Sequence, residues 1–106
     1  MAPKVAPPPA DVTDVFKAFA DPVRWAMVVE MAQVDEFPAT QLDQLVPVSK
    51  PTISYHIKVL YHAGLIEIRK EGRNFYYRLR REVVRDVIAE TNQRLGLTPK
   101  RRVKTG

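Results

Sequence analysis

The segment 49–62 holds the chain's only two serines and only two histidines, Ser49, Ser54, His56 and His62, and it is the first place to look for chemistry. Cap and turn residues on either side mark it as a helix. Helical residues advance by about 100° each, so Ser54 and His56 project from nearly opposite sides and cannot form a nucleophile–base pair. His56 and His62 are six residues apart and point about 120° away from each other, so they cannot share one metal ion. The 106-residue chain has no cysteine, which removes disulfides, thiolate metal ligands and thiol nucleophiles together. No glycine-rich phosphate loop and no carboxylate cluster suited to a metal nuclease is visible. Catalysis is therefore not expected, and neither is a metal or other cofactor.

Charge points elsewhere. The net charge is +5, but it is unevenly placed: residues 1–48 carry net −4 and residues 49–106 carry net +9. A small domain that is basic over one half has the electrostatic footprint of a polyanion binder. On the wheel of the 49–62 helix, Ile53, Ile57 and Leu60 fall within about a quarter-turn and form a buried stripe. Opposite them lie Pro51, Tyr55, Lys58 and His62, with Thr52 and Ser54 on the flanks. A face of lysine, hydroxyls and an aromatic suits a DNA major groove. The first turn, Ser49, Lys50, Pro51 and Thr52, offers backbone N–H groups to a phosphate. A solvated polar face is the plainer alternative.

The elements that must position these residues follow from periodicity and punctuation. Residues 1–10 hold four of the nine prolines and read as a disordered or extended arm. Val12, Val15, Phe16 and Phe19 recur at helical spacing, which predicts a first helix over 11–20. Asp21-Pro22 caps and starts a second helix, to about Val34, apolar around much of its circumference as a central core helix would be. Residues 35–38 read as a connector and Ala39–Leu45 as a short third helix. Ser49 caps the fourth helix, which runs to about Ala63, and Gly64 ends it.

Two alternating stretches, 65–70 and 74–79, flank a Gly-containing loop and predict a hairpin. A last helix spans about Arg81 to Leu95, and residues 97–106 form a basic tail expected to be disordered. Two helices joined by a tight turn and followed by a two-stranded ribbon define a winged helix-turn-helix: mainly α with a β-hairpin wing, one domain over 11–96.

Within the hairpin, Arg69, Lys70, Arg73 and Arg78 surround the turn. They could follow the DNA backbone, with Arg73 the first choice for a minor groove, or simply keep an exposed ribbon soluble. Phe75 and Tyr77 are expected to pack inward and Tyr76 to face outward, although the three could also stack on single-stranded bases. Val12, Val15, Phe16 and Phe19 of the first helix, with Val84, Val87, Ile88 and Leu95 of the last, have little sequence left to cover them. They are the candidate homodimer interface, unless they close a monomeric core.

The run SKPTISYHIKVLYHAGLIEIRKEGRNFYYRL, residues 49–79, closely resembles the recognition helix and wing of ArsR-type winged-helix regulators. The upstream FKAFADPVRWAMVVEM, residues 16–31, looks like that family's opening segment, usually written ALADPTRR. The resemblance covers about residues 11–95. It implies a homodimeric transcriptional repressor with the first and last helices at the dimer interface, many such proteins releasing DNA when a metal ion or another effector binds. It also implies that His56 is structural, since it stands where the family pattern has its histidine.

The sequence departs from the family where metals are sensed. The family's best-known site uses a Cys-x-Cys pair near the third helix, where this chain reads Glu36-Phe37-Pro38-Ala39-Thr40. A second common site needs histidine on the last helix, which here offers Asp86 and Glu90 but no histidine. The expected partners are therefore double-stranded DNA with a near-palindromic operator, a second copy of the chain, and either a small organic effector or none. No leader and no membrane span is evident, so a cytoplasmic protein is expected. A non-specific architectural DNA binder and a winged helix repurposed for protein contacts remain as alternatives.

Overall fold

The computed structural model describes residues 4–5 and 10–97. Helix α1 (Val12–Phe19) starts where Asp11 accepts from the Thr13 and Asp14 N–H groups, at 2.9 and 3.3 Å. Helix α2 (Pro22–Met31) follows after a single break, with Asp21 accepting from Val23 and Arg24 at 2.8 and 3.0 Å and Pro22 at the first helical position. Proline is favoured there because that residue's N–H has no helical partner anyway.

α2 ends three residues earlier than its apolar run suggests. The chain tightens through a Val34-to-Met31 bond, and the Arg81 guanidinium donates to the carbonyls of Ala32 and Val34 at 2.7 and 3.1 Å. The expected connector then contains a strand, β2 (Phe37–Pro38). The expected third helix is a 3-10 turn over 39–41 followed by α3 (Leu42–Leu45).

Helix α4 (Lys50–His62) closes in a Schellman motif. Leu65 N–H reaches Leu60 O, Gly64 N–H reaches Tyr61 O, and Gly64 takes φ 81°. Strands β3 (Ile66–Glu71) and β4 (Asn74–Leu79) join through the two-residue turn Gly72-Arg73. Positive φ falls on Gly72 alone, 64°, the signature of a type II′ turn whose twist matches a hairpin. Helix α5 (Arg81–Arg94) completes the order.

The sheet is antiparallel and four strands wide, in the order β1-β3-β4-β2. β1 (Lys4–Val5) lies within the proline-rich arm and pairs with β3 at the sheet's edge. β2 occupies the other edge, where Pro38 can sit without leaving a ladder bond unmade. The remaining calls on the arm, and the tail beyond Leu97, lie outside the described residues. One core links the layers: Val15, Met27, Met31, Leu42, Leu60, Leu65 and Ile66 are almost fully buried, and Val83 and Val87 close it from α5.

Candidate nucleic-acid interface

Helix α4 presents two chemically distinct sides. Ile53, His56, Ile57 and Leu60 are buried, while Pro51, Ser54, Tyr55, Lys58 and His62 are exposed. Tyr55 is 58% exposed although it neighbours buried His56. Lys50 is open to solvent, with Asp43 Oδ2 3.8 Å away. Ser49 caps the helix, accepting from Thr52 N–H at 3.4 Å, and the two hydroxyls lie 3.0 Å apart.

That cap corrects one expectation. Pro51 has no N–H and the Thr52 N–H is already bonded, so the first turn offers fewer backbone donors to an anion than the sequence suggests.

The wing separates its cations into two kinds. Lys70 and Arg73 are exposed, at the tip and in the turn, with no carboxylate partner among the described residues. Lys70 Nζ stands 5.7 Å from the centre of the Phe75 ring, its cross-strand neighbour. Arg69 and Arg78, expected as DNA contacts, are engaged within the chain. Arg69 bonds Glu36 through Nε and Nη2 at 2.8 and 2.7 Å, and Glu71 through Nη1 at 2.6 Å. Arg78 bonds both Glu67 oxygens at 3.2 and 2.7 Å, and reaches Glu82 at 3.5 Å. Both guanidinium pKa values are pushed up, for Arg69 by Glu36 and then Glu71, for Arg78 by Glu67.

The β-register explains the division. Glu67, Arg69, Glu71, Tyr76 and Arg78 share the outer face of the ribbon and form a nearly neutral ion-pair ladder. Phe75 shares the inner face with Tyr77, but it lies beyond the core and is exposed, contrary to the expectation that it packs inward. Tyr77 is half-buried, and burial raises its phenol pKa.

The apolar stripes divide as well. Val15 (0% exposed) and Val87 (6%) belong to the protomer's own core, Val87 only touching the floor of a groove between α1, α2 and α5. Val12, Phe19 and Val84 are partly covered, whereas Phe16, Ile88 and Leu95 are exposed. Two residues of α2 that periodicity did not single out join them: Trp25, 52% exposed, and Val29. Trp25 stands edge-on to Phe19, with ring centres 5.5 Å apart.

Together Phe16, Phe19, Trp25, Val29, Val84 and Ile88 line an almost wholly apolar groove of about 460 Å³ between α1, α2 and α5. Phe16 also borders a second, more polar hollow, where Leu95 and Val12 stand beside Asp11, Glu90 and Arg94. A helix apolar around much of its circumference gives little sequence signal for which apolar side is left uncovered. The apolar circumference of α2 therefore predicts a central core helix without showing that Trp25 and Val29 stay open.

His56 is 6% exposed, and its Nδ1 accepts from Arg24 at 3.0 Å. His62, turned away from it on the same helix, is exposed. Among the described residues no three His, Asp or Glu side chains gather closely enough to hold a metal ion, and none of the helices is long and apolar enough to cross a membrane. The chain offers no thiolate, and Arg24 already occupies His56, so these residues do not fit the family's transition-metal sites.

A polar, cationic helix beside a hairpin with a cationic tip defines a winged helix-turn-helix of the DNA-binding class, and the relatives agree. A family model described as a helix-turn-helix domain matches residues 19–69. An uncharacterised HTH-type transcriptional regulator of Methanocaldococcus jannaschii is 37% identical over 65 residues, 60% of this chain and 73% of its own length. The transcriptional repressor SdpR of Bacillus subtilis is 31% identical over 77 residues, 73% of this chain and 84% of its own. Among solved structures, an ArsR-like transcriptional regulator from Rhodococcus sp. RHA1 superposes with a TM-score of 0.70 at 31% identity, over 81% of this chain and 79% of that one. The chain belongs to the ArsR-type family of helix-turn-helix transcriptional regulators. It is a DNA-binding transcription regulator.

Proposed function

We propose that the protein is a homodimeric repressor, acting in the cytoplasm, that binds a near-palindromic DNA duplex. The observation that carries this reading is the exposed face of α4, with Tyr55, Lys58 and His62 in a row and Lys50 at its start. In this arrangement α4 enters the major groove. Lys58 contacts a guanine or a phosphate, and Ser49, Thr52 and Ser54 supply hydroxyls. Lys70 and Arg73 run along the flanking backbone, with Arg73 nearest the minor groove.

The apolar groove of α1, α2 and α5 supports a symmetric dimer, in which each copy covers the other's Phe16, Trp25 and Ile88. Two recognition helices then stand about 34 Å apart, one turn of DNA. Repression is inferred from the relative SdpR, a transcriptional repressor. Control comes from an organic effector, or from the level of the protein itself, because the residues do not fit a thiolate metal site.

Selection from a pool of randomised duplexes tests this directly. Enrichment of an inverted repeat, bound as two chains per duplex in sedimentation, is the expected result. Equal retention of all sequences, with a steep salt dependence, would instead mark an architectural binder.

A further inference from the structure

Arg24 stands at the start of α2, away from the face assigned to DNA, yet it joins three elements through one side chain. Its Nε donates to the carbonyl of Ala18 at 2.9 Å and its Nη2 to that of Lys17 at 3.3 Å, both in the last turn of α1. Its Nη1 donates to Nδ1 of His56, in the middle of α4, at 3.0 Å. Its own backbone N–H is held by Asp21 Oδ1 at 3.0 Å, which fixes where the side chain starts. The carbonyl end of a helix carries partial negative charge, so a cation is well placed there.

We propose that Arg24 is a positioning residue for sequence recognition: it sets the orientation of α4 relative to α1, and its loss reduces discrimination between DNA sequences rather than DNA affinity in general. This inference rests on α4 being the recognition helix. The guanidinium is a rigid planar fork, so a displacement of the α1 end moves the His56 end with it. A lysine in its place has one ammonium and cannot span the carbonyls of α1 and the ring of α4 together.

His56 lies one residue from Tyr55 on the exposed face and two from Lys58, so a small rotation of α4 at His56 moves both. Base contacts depend on angle and distance, whereas phosphate contacts tolerate both. Specific affinity therefore falls first. An arginine donor also requires that Nδ1 carry no proton, which puts the ring proton on Nε2.

The test uses the full chain with three variants, Arg24→Lys, His56→Asn and His56→Ala. Affinity is measured for a duplex enriched by the unaltered protein and for a scrambled duplex of equal composition. Arg24→Lys is expected to lower the ratio of the two affinities about tenfold, with scrambled-duplex affinity held within about twofold. His56→Asn keeps an acceptor near the Nδ1 position and should retain most of the ratio, while His56→Ala should lose it although both variants lose the ring. Ring nitrogen spectra of the unaltered protein should show Nδ1 unprotonated.

An unchanged ratio in Arg24→Lys overturns the proposal, and so does an equal loss on both duplexes that follows the folded fraction. If the unaltered protein enriches no sequence, the repressor reading falls, and amide exchange alone decides the clamp. Arg24→Lys must then speed exchange in α4 more than in α5, and uniform exchange refutes it.

Discussion

The Arg69 guanidinium lies 4.5 Å from the centre of the Tyr76 ring, with Glu36 bonded to one of its edges and Glu71 to another. Glu36 comes from the segment before β2, so this contact ties the wing to the body across β4. A cation stacked on an aromatic ring and bonded to two carboxylates has few donors left for a phosphate. The hairpin therefore divides into cations that hold the wing in place and cations that can touch DNA.

That division is measurable by salt dependence. Arg73→Ala should weaken DNA binding and reduce the slope of log affinity against log salt by about 0.9, the value for one phosphate contact. Arg69→Ala should leave that slope unchanged and lower the melting temperature instead. Anisotropy titrations across a salt series, paired with thermal unfolding, separate the two. Matching slope changes in both variants would place Arg69 on the DNA.

Lys58 is exposed at the centre of the α4 face proposed to meet DNA. Lys58→Ala should cost about 1–3 kcal/mol of affinity for the preferred duplex and little stability. Ile53→Ala on the buried side should do the opposite, destabilising the fold by about 2–5 kcal/mol. Competition binding and urea unfolding of both variants check the sidedness of α4.

Ile88, 55% exposed, and its neighbour Val87, buried, make an internal control for the dimer. Ile88→Glu should give a monomer in sedimentation equilibrium, keep the helical circular dichroism, and lose the tight dimeric footprint. Val87→Ala should leave the assembly alone and lower stability by about 2 kcal/mol through lost burial and a small cavity. A dimer that persists in Ile88→Glu would move the interface away from the α1–α2–α5 groove.

Asp21 supplies a pH dependence with a definite sign. The Arg24 N–H is the main influence holding its carboxyl below the ordinary value of 3.8, with the Val23 N–H assisting. A carboxyl whose pKa is depressed by folding stabilises the fold above pH 3.8, and that contribution is lost as pH falls through the lower folded value. Urea midpoints should therefore decline below about pH 4. Asp21→Asn, still a good helix cap, should flatten part of that decline while changing the neutral-pH midpoint little. An acid limb identical in both proteins would show that Asp21 is not among its causes.

Much of this fold was legible because its signals are local. Asp21 and Ser49 cap helices as their positions suggest, Asp11 proves to be a cap rather than the first helical residue, and Gly64 and Gly72 take the positive φ that ends α4 and turns the hairpin. The sidedness of α4 followed from a helical wheel, and the buried place of His56 from a family resemblance.

What stayed hidden depends on contacts distant in sequence. Phe37–Pro38 becomes a strand only because β4 lies beside it, and two residues are too few to show alternation. Arg69 and Glu36 are 33 residues apart, so charge counting could not show that they cancel. Val15 and Val87 share a periodic stripe with Phe16 and Ile88, yet tertiary packing encloses the first pair and leaves the second open.

The central claim, specific recognition of DNA by a dimer, is tested most directly by a footprinting titration on the DNA upstream of the protein's own gene. It should be run at near-physiological salt with a scrambled duplex as competitor. A protected inverted repeat with half-sites about one helical turn apart, persisting against the competitor, is the expected result. Protection that spreads evenly along the fragment and disappears with the competitor would contradict it.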